Sequence, residues 1–233
     1  MFNKKLPKVF PKHIGFILDG NGRWAKQRGL PRVLGHKAGV EAVKRTVEAL
    51  IKFNIPYASM FVFSTENWKR SKEEVDGIFS LLKKFLENNL DLFVERGIKL
   101  NIFGDLSPFN KNLRDLLVTA CEKSKNNQIL TLNICLNYGG RADIVQAVNN
   151  LIKQGKKVIN EDDIGNNLYS KGQPDLDFVV RTSGEMRVSN FMIYQLAYSE
   201  LYFPKIYWPD FDEKQLKKAL IEFGKRKRRY GGY

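Results

Sequence analysis

Residue types that bind oxyanions cluster near the start of the chain. The run Asp-Gly-Asn-Gly-Arg-Trp at 19–24 follows a short apolar segment at 14–18. Two close glycines expose backbone N–H groups, a following helix N-terminus adds a favourable dipole, and Arg23 supplies a guanidinium fork. The run therefore predicts an anion site, although a tight Asx turn without any ligand would have the same sequence.

Two other ligand chemistries fit the run at 19–24 poorly. A calcium loop needs an oxygen ligand at its fifth position, where this chain has Arg23. A Walker loop needs Gly-Lys followed by Ser or Thr, and no such sequence follows here. Phosphate binding through backbone N–H groups and arginine remains the chemistry that these residues favour.

His36 is the next candidate, because it lies on the inward stripe of a predicted helix with Arg32 just upstream. A lone inward histidine is usually a core residue whose hydrogen bonds are satisfied. Beside an arginine and an anion loop, it could equally contact phosphate. The sequence leaves both interpretations open.

Two further predicted strands also end in polar runs. These runs are Ser-Thr-Glu-Asn-Trp-Lys-Arg at 64–70 and Arg-Thr-Ser-Gly-Glu-Met-Arg-Val-Ser-Asn at 181–190. In open α/β sheets, ligands bind beyond the carboxyl ends of the strands. We therefore expect all three polar runs to converge on one edge of a sheet and to bind oxyanions there.

Alternating strand and helix patterns must position these runs. Strands are predicted at 14–18, 57–63, 99–103, 130–136, 178–180 and 201–203, and helices at 35–53, 71–93, 107–123, 141–153 and 213–227. Ser71 and Glu74 predict a capping box, and Ser107 is the predicted N-cap of the next helix. The alternation predicts one α/β domain over 1–233, with a mainly parallel central sheet flanked by helices.

Composition sets the broad class of the protein. The 233 residues include 39 Lys and Arg against 25 Asp and Glu, a net charge of +14, and 43% are hydrophobic. This excludes a disordered chain, and no apolar run is long enough to span a membrane. Two cysteines and no visible signal segment predict a cytoplasmic protein, and the positive charge favours peripheral contact with the anionic inner membrane face.

The positive charge calls for an anionic partner, which could be nucleic acid, anionic lipid or a phosphorylated metabolite. The basic run at 225–229 could suit nucleic acid. Against that interpretation, the arginines that follow the strands stand in Gly/Ser loops with carboxylates. These loops favour metal-assisted chemistry on small phosphates, so no nucleic-acid partner is expected.

Four sequence blocks together resemble one family. The blocks at 13–24, 63–70, 181–191 and 200–203 are similar to the signature blocks of the cis-prenyltransferases. The resemblance runs from about Lys12 to the C-terminus, with the core motifs in 12–211. The resemblance implies a Mg²⁺-dependent homodimeric transferase that adds isopentenyl diphosphate to farnesyl diphosphate with Z geometry. It also implies a hydrophobic tunnel, a long-chain product of the undecaprenyl type, and contact with a membrane surface for product release.

The resemblance also assigns roles to individual residues. Asp19 and Asn67 match catalytic positions, and Asp19 with Glu200 matches the metal carboxylates. The tail at 212–233 holds a terminal helix and an R-x-G element that would reach the partner subunit's site. The substrate-binding positions that the resemblance implies are Gly20, Asn21, Gly22, Arg23, Trp24, Arg32, His36, Ser64, Thr65, Glu66, Trp68, Arg70, Arg181, Arg187, Val188, Ser189 and Arg229.

The chain departs from the family pattern at two positions. Ser183 stands where many members have glycine, and Met186 stands where some have a histidine near the metal. A thioether is a poor Mg²⁺ ligand, so the metal should depend on carboxylates, water and substrate phosphates. The Phe/Leu-rich stretch at 75–93 could be core helix, tunnel wall or both. An inactive binding subunit is a further possibility, against which Asp19, Arg181 and Arg187 count.

Overall fold

One parallel sheet of six strands lies at the centre of the protein. This computed structural model describes residues 6–226. The strands are β1 (His13–Ile17), β2 (Tyr57–Ser64), β3 (Ile98–Phe103), β4 (Leu130–Tyr138), β5 (Phe178–Arg181) and β6 (Glu200–Tyr202). They pair in the order β3-β4-β2-β1-β5-β6, and every neighbouring pair is parallel. The predicted α/β fold with a mainly parallel sheet is therefore confirmed.

Helices connect the strands and cover both faces of the sheet. They are α1 (Asn21–Gln27), α2 (Arg32–Lys52), α3 (Lys72–Glu95), α4 (Lys111–Ser124), α5 (Gly140–Lys153), α6 (Glu161–Gly165) and α7 (Glu213–Phe223), with 3₁₀ turns at Thr65–Lys69 and Trp208–Asp210. The short helix α6 was not predicted, and α1 was expected only as a helix start after the two glycines, without bounds, because neither helix is long enough for an apolar period to appear. The terminal helix ends at Phe223, where the prediction extended to 227.

Side chains alternate between the two faces of each strand, as the pleat requires. On one face, Phe16, Met60 and Ile134 pack against α2 and α3 in the main core. On the other face, Ile17 and Phe61 join a second buried cluster with the loop that follows β5. Both faces of the sheet are therefore covered, which explains why its strands are mainly apolar.

Two predicted helix starts differ in their capping. The Ser71 side chain accepts a hydrogen bond from the Glu74 backbone N–H as predicted, but the Glu74 carboxylate contacts Arg70 instead of completing a capping box. The predicted N-cap at Ser107 is wrong. Asp105 accepts hydrogen bonds from the backbone N–H and hydroxyl of Ser107, and Asn110 caps α4. The Asx turn at Asp105 delays the helix by one turn.

Glycines allow α1 to lie directly against α2. Gly20 ends the turn after β1 with φ +107°, a conformation that other residues rarely adopt. A Cβ on Gly35 would lie 2.1 Å from the Asn21 carbonyl oxygen, and one on Gly39 would lie 2.5 Å from Asn21 Oδ1. The spacing of these two glycines on α2 thus sets the position of the 19–24 loop.

Within residues 6–226, no helix is both long and apolar enough to cross a membrane.

Candidate active site

The three polar runs meet at the carboxyl edge of the sheet. Asp19 follows β1, Ser64 ends β2 and Arg181 ends β5. Because β1 lies between β2 and β5, these residues come from adjacent strand ends. This edge is where a parallel sheet binds its ligands.

Arg181 is the buried cation of this edge, with 4% of its surface exposed. Its Nη2 donates to Asp19 Oδ2 at 3.0 Å, and its Nη1 donates to Ser189 Oγ at 2.7 Å and to the Arg187 carbonyl oxygen at 2.6 Å. Its Nε is buried and has no acceptor among the described residues. A buried donor without a partner is costly, so an anion bound here would complete the site.

Glu185 holds two further arginines at the rim. Arg23 Nη1 donates to Glu185 Oε1 and Arg187 Nη1 donates to Oε2, each at 2.6 Å. These hydrogen bonds hold the pKa of Glu185 below its ordinary value. Arg23 also donates through Nη2 to Asp19 Oδ1 at 2.9 Å. The carboxylates of Glu185 and Asp19 therefore orient three guanidiniums that could each bind phosphate bidentately.

Glu74, at the start of α3, gathers a second group of basic side chains. Its carboxylate lies 3.0 Å from Arg70 Nη1, 3.2 Å from Arg32 Nη1 and 3.4 Å from His36 Nε2. Burial lowers the pKa of His36, and the neighbouring arginine charges lower it further against the opposing effect of Glu74. The imidazole is therefore mainly neutral at pH 7, and its buried Nε2 forms no hydrogen bond.

The 3₁₀ turn after β2 is tied to the loop after β5. Asn67 Oδ1 accepts the Ser64 backbone N–H at 3.0 Å, which orients the Asn67 amide. Asn190 Nδ2 donates to Glu66 Oε1 at 3.0 Å, while Asn190 Oδ1 accepts the Arg141 backbone N–H. Burial would raise the pKa of Glu66, but hydrogen bonds from Asn190 and nearby groups lower it below its ordinary value.

A deep cavity of about 1080 Å³ opens between these charged groups. Its wall below the polar rim is apolar and comes from the sheet, α2 and α3. These wall residues are Val40, Val43, Met60, Val62, Ile78, Leu81, Leu82, Phe85, Leu132 and Ile134. The stretch at 75–93 thus supplies both core and cavity wall.

Most of the predicted site residues line this cavity. They are Asp19, Gly20, Asn21, Gly22, Arg23, Arg32, His36, Ser64, Glu66, Asn67, Arg70, Arg181 and Ser189. Arg187 reaches the rim through Glu185. His36 therefore faces the cavity rather than sitting in a closed core. Arg229 lies outside the described residues.

Five predicted residues lie away from the cavity surface. Trp24 donates from its indole Nε1 to Asp210, and Trp68 donates from its Nε1 to Asn137. Thr65 packs near Gly139, and Val188 packs against the second buried cluster. Glu200 pairs with Phe178 at the amino end of β5, whereas Asp19 lies beyond the carboxyl end of β1. Trp24, Thr65, Trp68 and Val188 therefore support the site rather than line it.

The structure does not bring Glu200 together with Asp19 within one chain. The register places Glu200 about 10 Å back along the strand direction from Arg181, at roughly 3.3 Å per residue. Its nearest described cation is Arg226, at 3.8 Å. Among residues 6–226 no group of three or more His, Cys, Asp or Glu side chains could hold a metal, and Met186 is 80% exposed.

Sequence reasoning missed Lys26, Glu74 and Asn190 as site residues. Lys26 and Asn190 line the cavity, and Glu74 orients three basic groups. Glu74 was assigned only to capping, since its position three residues after Ser71 fits that role equally well. The only signal for Asn190 was its place at the end of the third polar run.

Comparisons with known proteins agree with this geometry. A family model described as putative undecaprenyl diphosphate synthase matches residues 17–231. An isoprenyl transferase of Clostridium perfringens is 44% identical over 95% of this chain and 90% of its own length. A ditrans,polycis-undecaprenyl-diphosphate synthase of Pasteurella multocida, named as (2E,6E)-farnesyl-diphosphate specific, is 43% identical over 97% of both chains.

Solved structures show the same fold. Lavandulyl diphosphate synthase from Lavandula x intermedia, solved with dimethylallyl diphosphate, superposes with a TM-score of 0.91 at 31% identity, covering 95% of this chain and 98% of that one. A probable undecaprenyl diphosphate synthase from Campylobacter jejuni gives 0.81 at 31% identity, covering 98% and 99%. On the match over 17–231 and these identities, the chain belongs to the undecaprenyl diphosphate synthase family of cis-prenyltransferases.

Proposed function

We propose that this chain is a Mg²⁺-dependent cis-prenyltransferase that adds isopentenyl diphosphate units to farnesyl diphosphate with Z geometry. The product would be a long-chain polyprenyl diphosphate of the undecaprenyl type, a lipid-carrier precursor for cell-wall synthesis. One observation carries the proposal: an arginine-rich rim opens directly into an apolar cavity of about 1080 Å³. The name of the Pasteurella relative supports the choice of farnesyl diphosphate.

The cavity wall suits an isoprenoid tail. Side chains such as Val43, Leu81 and Phe85 offer no hydrogen bonds to a ligand. Moving a hydrocarbon chain from water onto such a surface contributes about 0.8 kcal/mol per CH₂. A growing tail can therefore be held by burial alone, while the diphosphate stays at the charged rim.

The two groups of cations suit two diphosphates. In the proposal, the N–H groups at 20–22 with Arg23, Arg32 and His36 bind the allylic diphosphate. Arg181, Arg187 and Ser189 bind isopentenyl diphosphate. The observation that supports this division is that Glu74 orients Arg32 and His36, whereas Asp19 and Glu185 orient Arg181 and Arg187. Arg23 also contacts Asp19 and Glu185, so its guanidinium adjoins the second group. A diphosphate would replace these carboxylates as the hydrogen-bond acceptor of the guanidiniums.

The residues at the rim fit a magnesium ion. Asp19 is a hard oxygen donor with 27% of its side chain exposed, and each of its oxygens has a further lone pair beyond the arginine contact. Mg²⁺ usually binds through one or two carboxylates together with substrate phosphates and waters. When bound by Asp19, the ion would stabilise charge on diphosphate oxygens.

The proposed reaction has three chemical events. The bond from the allylic carbon to its diphosphate oxygen breaks, the isopentenyl alkene forms a new carbon–carbon bond, and a proton is lost. Arg23 and the N–H groups at 20–22 would stabilise the departing charge. Asn67 is a weak base, because its nitrogen lone pair is delocalised. Its Oδ1 is held by Ser64, so Nδ2 is the atom left to donate.

We therefore propose that Asn67 orients a diphosphate oxygen and that this oxygen accepts the proton.

The proposal includes a homodimer. Glu200 matches the family pattern but does not join Asp19 in the described part of one chain, and the R-x-G element at 229–231 lies outside the described residues. A role for Glu200 beside Asp19 would therefore require a second copy, and the resemblance implies the same for the R-x-G element.

Product sizing tests the proposed function. The protein is incubated with labelled isopentenyl diphosphate, farnesyl diphosphate and Mg²⁺, and the extracted products are separated by length. We expect long polyprenyl diphosphates, lost when the metal is chelated or when the variant Asp19→Asn is used. Absence of incorporation by a folded wild-type protein would refute the proposal, and products extended by a single unit would refute the long-chain part.

A further inference from the structure

A patch of apolar and basic side chains lies beside the cavity mouth. It consists of Leu30, Val33, Leu34 and Lys37, and we call it the mouth patch. Leu30 is 38% exposed, Val33 52% and Leu34 40%. Val33, Leu34 and Lys37 lie on one face of α2, and Leu30 precedes this helix in the turn after α1.

The mouth patch is held in a fixed conformation. Gly29, two residues after α1, has φ +65°. The Leu30 N–H bonds to the Ala25 carbonyl at 2.9 Å, and the Gly29 N–H bonds to the Lys26 carbonyl at 3.2 Å. This pair of hydrogen bonds is a Schellman motif. The Leu34 N–H then bonds to the Pro31 carbonyl at 3.0 Å. The exposure of these apolar side chains is therefore built into the backbone.

The chain segment that forms the patch carries charge of one sign. Between positions 20 and 40 the chain has five Lys and Arg residues and no Asp or Glu. Arg28 and Arg32 pair with Asp210 and Glu74 from elsewhere in the fold, whereas Lys26 and Lys37 are exposed. Exposed leucine and valine surrounded by lysine is the composition of surfaces that lie on anionic membranes.

We propose that the mouth patch docks the protein on an anionic lipid surface, with the cavity mouth facing the bilayer. The value of this arrangement rests on the proposed function, since a polyprenyl product must pass from an apolar cavity into lipid without crossing water. Lys26, Leu30 and Arg32 line the cavity, so its mouth adjoins the docking surface.

Other occupants fit the patch less well. A second copy of the chain in a twofold contact would bring the same basic side chains face to face. The chain segments at 1–5 and 227–233 contain only basic charges, so they offer no complementary charge either. Anionic lipids satisfy both parts of the patch, because their headgroups pair with the basic side chains and their acyl chains accept the apolar ones.

Vesicle sedimentation tests the docking surface without substrate. The wild-type chain is mixed with vesicles of phosphatidylcholine, with or without phosphatidylglycerol. We expect binding only when phosphatidylglycerol is present. V33S/L34S should bind roughly tenfold more weakly, because two apolar side chains no longer enter the interface. K37Q should bind about fivefold more weakly and should respond less steeply to salt than the wild type.

Matched variants elsewhere on the surface serve as controls. V118S/V158S removes two valines that are 55% and 79% exposed, and K157Q removes one exposed lysine; both should bind vesicles like the wild type. Circular dichroism confirms that all variants are folded. If the wild type ignores phosphatidylglycerol, or if V118S/V158S weakens binding as much as V33S/L34S, the proposal is wrong. A changed oligomeric state of V33S/L34S would assign the patch to a second copy instead.

This test is separate from the proposed function. Vesicle binding without prenyl transfer would refute the enzyme activity and leave the docking surface in place. Prenyl transfer by a wild-type protein that does not bind vesicles would refute the docking surface and leave the proposed activity in place.

Discussion

The polar cluster at the carboxyl edge of the sheet and the polar network near its amino end differ in charge and in how completely their hydrogen bonds are made. The amino-end network is neutral. His13 Nδ1 contacts the Pro174 carbonyl at 2.7 Å, which fixes the proton there, and the Ser59 hydroxyl then donates to His13 Nε2 at 2.8 Å. Asn133 Nδ2 donates to Ser59 Oγ and to Gln173 Oε1.

The carboxyl-edge cluster is charged and incomplete. Within residues 6–226, five buried side-chain polar atoms lack a hydrogen-bond partner, and four of them lie here: Asn21 Oδ1, His36 Nε2, Arg181 Nε and Ser183 Oγ. Buried polar groups are normally satisfied, so such a concentration marks a place where a ligand supplies the partners. The fully hydrogen-bonded network stabilises the sheet, whereas the cluster with unsatisfied groups is available to bind a ligand.

Replacing Asp19 should produce the largest loss of activity, and it should change the charged cluster without affecting the neutral network. Asp19→Asn keeps the shape of the side chain but removes the charge that orients Arg23 and Arg181 and would hold the metal. We expect kcat to fall by about 10²–10³-fold or more. Steady-state assays with saturating Mg²⁺ measure this loss, and urea unfolding should show that the protein remains folded. Near-wild-type turnover would remove Asp19 from the mechanism.

Changing Asn67 tests the donor role within the same cluster. Asn67→Asp keeps an oxygen that can accept the Ser64 N–H but replaces the Nδ2 donor with a second oxygen. Loss of one donor aimed at developing charge should slow the chemical step by about 10²-fold. Single-turnover rates across pH measure the effect, with Asn67→Ala as the control. A faster aspartate variant whose rate follows its ionisation would show that a base is needed at this position.

The sequence predicted the parallel sheet and the convergence of the three polar runs, because strand–helix alternation and the strand-end rule depend on local patterns. It could not predict that Glu74 would turn away from Ser71 toward Arg70, since both contacts satisfy the same carboxylate and only the tertiary structure decides between them. The place of Ser107 was wrong for a similar reason: Asp105 competes for the Ser107 hydroxyl within one short turn.

The position of Glu200 shows a different limit. A sequence motif assigns Glu200 to a metal, but strand register decides which end of the sheet it occupies, and β6 begins opposite the amino end of β5. Register is a property of the folded pairing and does not appear in the spacing of a motif.

Lowering the pH should destabilise the neutral network around His13 more than the charged cluster at the carboxyl edge. Burial lowers the pKa of His13 to about 4, despite the hydrogen bond to Pro174 and the charge of Asp177. The unfolded chain therefore binds this proton more readily between about pH 6.5 and pH 4. The contribution of neutral His13 to the free energy of unfolding is fully present above that window and is lost as the pH falls through it. The loss is about 3 kcal/mol in total and about 2 kcal/mol by pH 5.

Urea unfolding near pH 7.5 and about pH 5 measures this difference. His13→Gln should be less stable near neutral pH but should show a flatter pH dependence than the wild type. His36→Gln is the matched control, because the pKa of His36 is also lowered but its side chain is only partly buried. An unchanged pH dependence in His13→Gln would show that His13 does not control the acid lability of the sheet.

The smallest effect should come from Ser183, where the rim departs from its family pattern. Ser183 has φ +76°, and its buried Oγ has no hydrogen-bond partner among the described residues. Ser183→Ala removes only the unsatisfied hydroxyl, whereas Ser183→Gly also relieves the left-handed backbone. We expect the glycine variant to be more stable than the alanine variant by about 1 kcal/mol, as measured by chemical unfolding. If that gain leaves the KM for isopentenyl diphosphate unchanged, the strain at Ser183 has no role in binding. A raised KM in both variants would instead make the Ser183 hydroxyl one of the partners that the incomplete cluster keeps for its ligand.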